Sequence, residues 1–148
     1  MDVIPWIGEN LPEHLRECDK DAVMFYGQFR RMSWGVDYMA WQAIDEEGKC
    51  MGIGGVLKEW KGMATAFMAL SDEVIATPFW FHRRVRQYID VVIKEMELHR
   101  LQAYVEAGHP ERENWIERLG FVREGVLHQF CYNRKDWVIF AWLSSSPL

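Results

Sequence analysis

The chain has 148 residues, 49% of them apolar and 14% aromatic, with eight Trp. That composition excludes the disordered class. It suits one domain over residues 1–148, able to bury roughly 70% of the surface its unfolded form exposes. A net charge of −5 with a pI near 5.5 argues against nucleic-acid binding, because phosphates demand a positive surface.

Asn10-Leu11-Pro12-Glu13 reads as a helix start, with an Asn cap, an early Pro and a Glu in the first turn. Leu15, Cys18, Ala22, Phe25, Tyr26 and Phe29 follow at helical spacing. Tyr38 to Asp45 alternates like a strand, and Glu46-Glu47-Gly48 marks a turn. Cys50 to Trp60 is a second strand, Lys61-Gly62 a second turn, and Met63 to Leu70 a third strand. Three strands on short turns predict an antiparallel meander. The period then changes. Thr77 is a good N-cap and Pro78 a good first helical residue. Phe81, Val85, Tyr88, Ile89, Val92, Ile93 and Met96 recur near 3.6 residues, the clearest helix in the chain. Leu101 to Ala107 is an apolar strand ending at Gly108. A long helix between two strands predicts a right-handed crossover, with Met63–Leu70 and Leu101–Ala107 parallel neighbours. A helix over Pro110 to Leu119 stops at Gly120. Phe121 to Tyr132 and Trp137 to Leu143 form a closing hairpin turned at Asn133-Arg134-Lys135. The fold class is a mixed α/β sheet.

Cys18, Cys50 and Cys131 are scattered and odd in number, which argues against a disulfide framework and a structural zinc site. The five His are dispersed as well, so no metal site is expected. A reducing, cytoplasmic compartment is the simplest expectation. No apolar run approaches the ~20 residues of a membrane span, and Met1-Asp2-Val3-Ile4-Pro5 carries no basic n-region, so no signal peptide is expected. Most of Trp34, Trp41, Trp60, Trp80, Trp115, Trp137 and Trp142 are expected in the core, since aromatic rings bury large areas.

The run Trp115-Ile116-Glu117-Arg118-Leu119-Gly120-Phe121-Val122-Arg123-Glu124-Gly125, with Leu101 to Ala107 before it, resembles the C-terminal half of the GNAT acyltransferase superfamily. In particular it is similar to the branch that acetylates protein N-termini, whose signature pairs a leucine and the residues Gly-Phe with a following Glu-Gly. Asp136-Trp137 falls where that branch often carries an Asp before its last strand. The resemblance covers residues 63 to 143 and implies an acetyl-CoA-dependent N-acyltransferase. Its two central parallel strands would part at their C-terminal ends. Backbone groups freed near Met68 and Leu70 would hold the pantetheine arm. The pyrophosphate would sit at the helix start beside Thr77.

The loop Ser71-Asp72-Glu73-Val74-Ile75-Ala76-Thr77-Pro78 departs from the family's glycine-rich phosphate loop. There is no glycine between Gly62 and Gly108, Pro78 lacks an amide, and Asp72 and Glu73 bring negative charge. Arg83 and Arg84, with Arg86, either grip phosphates in compensation or form a solvated helix face. A Tyr that often serves as general acid is replaced by Ile116. For the general base, alternation along the strand puts Gln102, Tyr104 and Glu106 on one face, and Glu106 near the parted end. His109 is the other candidate, because an imidazole titrates near neutrality. The resemblance implies a small-molecule or peptide amine as acceptor and is compatible with a homodimer. A second reading is a GNAT-like structural or interaction protein without catalysis, since the glycine-free loop is also similar to short phage-encoded GNAT-like proteins.

Overall fold

The structure is a computed structural model that describes residues 1–6, 37–75 and 78–145. The helix expected from Asn10, with Cys18, lies outside the described residues, and so do Trp34 and Thr77. Ten elements follow in chain order among the described residues: β1 (Asp2–Pro5), β2 (Tyr38–Ile44), β3 (Cys50–Trp60), β4 (Met63–Leu70), α1 (Asp72–Ile75), α2 (Pro78–Glu95), β5 (Arg100–Glu106), α3 (Pro110–Arg118), β6 (Val122–Leu127) and β7 (Trp137–Leu143). The strands make one seven-stranded sheet in the order β1-β2-β3-β4-β5-β7-β6. All pairs are antiparallel except β4 with β5.

The meander forms where its turns dictate. The Asp45 carboxylate accepts the amides of Glu47 and Lys49, each at 2.9 Å, and so folds the β2–β3 turn back on itself. At the β3–β4 turn Gly62 takes φ +82°, and a side chain there would run into the His99 ring. Its carbonyl accepts the amides of His99 (2.8 Å) and Arg100 (3.1 Å). One glycine thus turns the meander and clamps the start of β5 beside the start of β4. That clamp sets the parallel register Met63↔Arg100.

α2 is the expected crossover helix. Val92 is its fully buried residue, and Val85, Ile89, Ile93 and Met96 pack with it against Val56, Ala64, Leu101 and Phe140. Each such side chain contributes about 1.5–3 kcal/mol when wholly removed from water. α3 adds Ile116 and Leu119 to the same cluster. It ends as the sequence predicts, with Leu119 still right-handed and Gly120 at φ +98°. The Arg86 guanidinium donates to the Leu119 carbonyl at 2.9 Å. This member of the arginine run therefore satisfies the end of α3 and ties α2 to it.

Three expectations need correction. β1 was not foreseen: a four-residue, largely exposed strand gives little alternation to read. The strand expected over Phe121 to Tyr132 stops at Leu127. There Gln129 turns to φ 50°, its amide donates to the Asp136 carboxylate at 3.0 Å, and Phe130 donates to the Lys135 carbonyl at 3.1 Å. The side-chain bond closes the loop earlier than the apolar pattern implies. The stretch read as the loop Ser71 to Pro78 holds a short helix, α1. Most of the expected tryptophans do lie in or against the core, Trp137 within it and Trp41, Trp115 and Trp142 packed on it. Trp137 and the N-terminal Trp6 are buried, Trp41, Trp80, Trp115 and Trp142 are half-buried, and Trp60 is 62% exposed. Among the described residues no helix is long and apolar enough to cross a membrane.

Candidate active site

β4 and β5 are paired over four positions, from Met63↔Arg100 to Ala66↔Ala103, and then part. Each continues with its other neighbour: β4 stays on β3 as far as Leu70, and β5 stays on β7 as far as Glu106. Phe67 to Leu70 and Tyr104 to Glu106 therefore flank a gap, and main-chain groups that face it need other partners. The paired half carries Ala64, Ala66 and Ala103, while the parted half carries Phe67, Met68, Tyr104 and Val105.

A cavity of about 690 Å³ occupies this region. It takes in Ala66, Met68 and Leu70 of β4, Tyr104 and Val105 of β5, Pro78 to His82 of α2, and Arg112 and Trp115 of α3. Phe67 and Tyr104 also line it, although they pack on the opposite side of the sheet. Phe67 packs with Trp6 and Ile53 there, and Tyr104 lies 5.1 Å from the Phe130 ring. The lining thus includes residues of the gap whose side chains belong to either face of the sheet.

The two faces differ in chemistry. On the α2 side the walls are apolar and aromatic. Phe81 of α2 stacks on Trp115 of α3 with centroids 5.3 Å apart, and the Trp115 indole donates to His82 Nδ1 at 3.2 Å. Arg84, Arg112 and Arg118 line this side against the single carboxylate of Glu111. On the other side a polar chain runs across the strands. Thr65 donates to Glu59 at 2.7 Å, and Gln102 donates to Thr65 at 3.2 Å and to the Tyr104 hydroxyl at 3.1 Å. Arg100 donates to Gln102 and also to Glu124 (Nη1–Oε2 3.0 Å). That hydrogen bond holds the Glu124 carboxyl below the usual carboxylate range and raises the Arg100 guanidinium.

Glu106, the last residue of β5, lies at the end of this polar face and is only 6% exposed. Its Oε1 is 3.3 Å from His109 Nε2 and 3.3 Å from Lys135 Nζ. The two residues selected from sequence as candidate bases are therefore one contacting pair. Lys135 joins them and was missed, because the sequence reads it only as a turn residue. It arrives through the β6–β7 loop. Asp136 organises that loop by accepting the Gln129 amide and pairing with His128 at 3.0 Å. Both contacts, the amide first, hold the Asp136 carboxyl below its ordinary range.

The structure brings Met68, Leu70 and Arg84 of the expected coenzyme residues to the cavity, whereas Arg83 is exposed outside its lining. Arg84 lies 5.8 Å over the Trp80 ring. Asp72 and Glu73 form the first turn of the four-residue α1, and the first turn of α2 has no acidic residue. Phe79, next after Pro78, is 89% exposed.

Compared by sequence, the chain matches no family profile and no curated protein. Compared by structure, it is similar to a variant of the spermidine N-acetyltransferase SpeG from Vibrio cholerae. The TM-score is 0.68 at 14% identity, over 97% of this chain and 95% of that one. It is also similar to the ribosomal-protein-S5-alanine acetyltransferase from Vibrio fischeri, with a TM-score of 0.65 at 19% identity, over 84% of this chain and 72% of that one. The chain has the GNAT fold. At such identities the likeness is one of architecture, and function must be argued from the site.

Proposed function

We propose that the protein is an acyl-CoA-dependent N-acyltransferase, as the C-terminal sequence resemblance also implies. The observation that carries this reading is the parting of β4 from β5 beyond Ala66 and Ala103, with a cavity against the start of α2. Acetyl-CoA is the donor that the resemblance implies. Backbone groups of Phe67 to Leu70 would take the pantetheine arm, and the start of α2 with Arg84 would take the phosphates. A thioester carbonyl polarised by main-chain amides in a dry gap gains far more than it would in water.

The amine would come from the polar face, where Glu106 waits. Glu106, assisted by His109, first takes a proton from the ammonium; the free amine then bonds to the acyl carbon, the carbon–sulfur bond breaks, and the departing thiolate takes up the second nitrogen proton. Lys135 and His109 hold the carboxylate in place. Glu106 lies outside the cavity lining, next to Val105 and paired with Trp137, which both line it. A small-molecule or peptide amine fits the acceptor role.

A second reading is a GNAT-like interaction module without catalysis, as in the phage-encoded proteins that its loop is similar to. The glycine-free loop favours it, and so does the Phe81–Trp115 stack joining α2 to α3 beside the gap. Titration of the purified protein with acetyl-CoA separates the two. Saturation at 100 times the dissociation constant stabilises a fold by about 2.7 kcal/mol, which appears as a raised melting temperature. An unmoved melting curve at millimolar coenzyme would refute acyl transfer and leave the interaction module.

A further inference from the structure

The cavity continues past the gap, away from β5. Val3, Ala43, Gly52 and Leu70 are successive partners across β1, β2, β3 and β4, and all four line it. That row spans three inter-strand spacings, about 14 Å. Beside it runs a second row of Trp41, Gly54 and Met68, also cavity-lining. Trp41 closes this arm against α2 through its 4.3 Å ring contact with Tyr88.

The arm has a different chemistry from the gap. β2 and β3 are paired on both sides, so their main-chain groups are taken up by the ladders and offer little to an amide-rich chain such as pantetheine. The side chains that β1 to β3 bring are apolar apart from Gln42 and the Trp41 indole. Small residues make the room. A Cβ placed on Gly54 would meet nothing closer than the Phe67 carbonyl oxygen at 3.8 Å and the Met68 methyl at 3.9 Å. The space opens to solvent, so a ligand can enter it. Three arginines against one carboxylate in the lining favour a ligand with an anionic head and an apolar tail.

We infer that this arm holds an unbranched, medium-length acyl chain, so that the preferred donor is a medium-chain acyl thioester. The inference rests on the acyl-transfer reading above and names its substrate class. The transfer is otherwise unchanged: Glu106 takes one proton from the ammonium, a carbon–nitrogen bond forms, the carbon–sulfur bond breaks, and the thiolate leaves with the second nitrogen proton.

The test is calorimetry with free coenzyme A, its acetyl, butyryl, hexanoyl, octanoyl and palmitoyl thioesters, and free octanoate. Affinity is expected to rise by about fourfold per added methylene up to the length of the arm, then level off. In Gly54→Val, shown to fold by its melting curve, the rise should end at a shorter chain. If acetyl-CoA binds and longer chains bind no tighter, the inference fails while acyl transfer stands. A chain-length dependence that is identical in Gly54→Val also overturns it, because the chain then lies elsewhere. Binding of octanoate without any thioester would assign the arm to a free acid and overturn acyl transfer itself.

Discussion

The two halves of the β4–β5 pair lie on the same two strands and do opposite things. From Met63 to Ala66 the strands are joined, flanked by Leu101, Phe140 and α2, and this half belongs to the core. From Phe67 onward they are apart, and each strand keeps only its outer neighbour. The difference shows how one sheet carries both stability and a site. Outer ladders keep the parted ends within the sheet, so the gap needs no loop to shape it.

The sharpest way to break the comparison is to attack the joined half. Phe140→Ala removes a side chain with no exposure and should lower stability by about 4 kcal/mol, read from denaturant unfolding. The folded fraction should keep its coenzyme affinity. In the parted half the balance inverts. Glu106→Gln should lower turnover by at least about a hundredfold while the unfolding midpoint and coenzyme binding stay near those of the parent. An unchanged rate would remove Glu106 from the chemistry.

Arg86→Ala is a smaller perturbation. It takes away the hydrogen bond to Leu119 that ties the two helices beside the gap, and should cost about 1–2 kcal/mol. The smallest effect is expected with pH. Asp136 and Glu124 have folded pKa values below their ordinary ones. Their contribution is therefore full above the ordinary carboxylate range and is lost as pH falls through the lowered values. Both groups are solvent-accessible, so the acid-side fall in melting temperature should be slight. Asp136→Asn should flatten part of it, and a scan of melting temperature from neutral to acid pH checks this.

Much of this was legible in the residues. The 3.6-residue period from Phe81 to Met96 gave the crossover helix, and the glycines at 62 and 120 gave the β3–β4 turn and the end of α3, because periodicity and positive φ are local properties. The parallel neighbours followed from connection length alone. Glu106 and His109 could be selected as residue types at a strand end, but their contact could not, since it needs Gly108 to turn the chain back. Lys135 had no local signal at all.

By itself the sequence determined the order of the elements other than β1 and α1, the meander turns, the crossover and the polar alternation of Gln102, Tyr104 and Glu106. Those depend on neighbours within one or two turns of chain. Only the tertiary structure decided where β4 and β5 stop pairing, that Lys135 reaches Glu106, that Arg86 caps α3, and that small residues on three strands line up into one apolar arm. Each of these depends on residues far apart in the chain meeting in space. Their energies belong to the pair and are carried by neither residue alone.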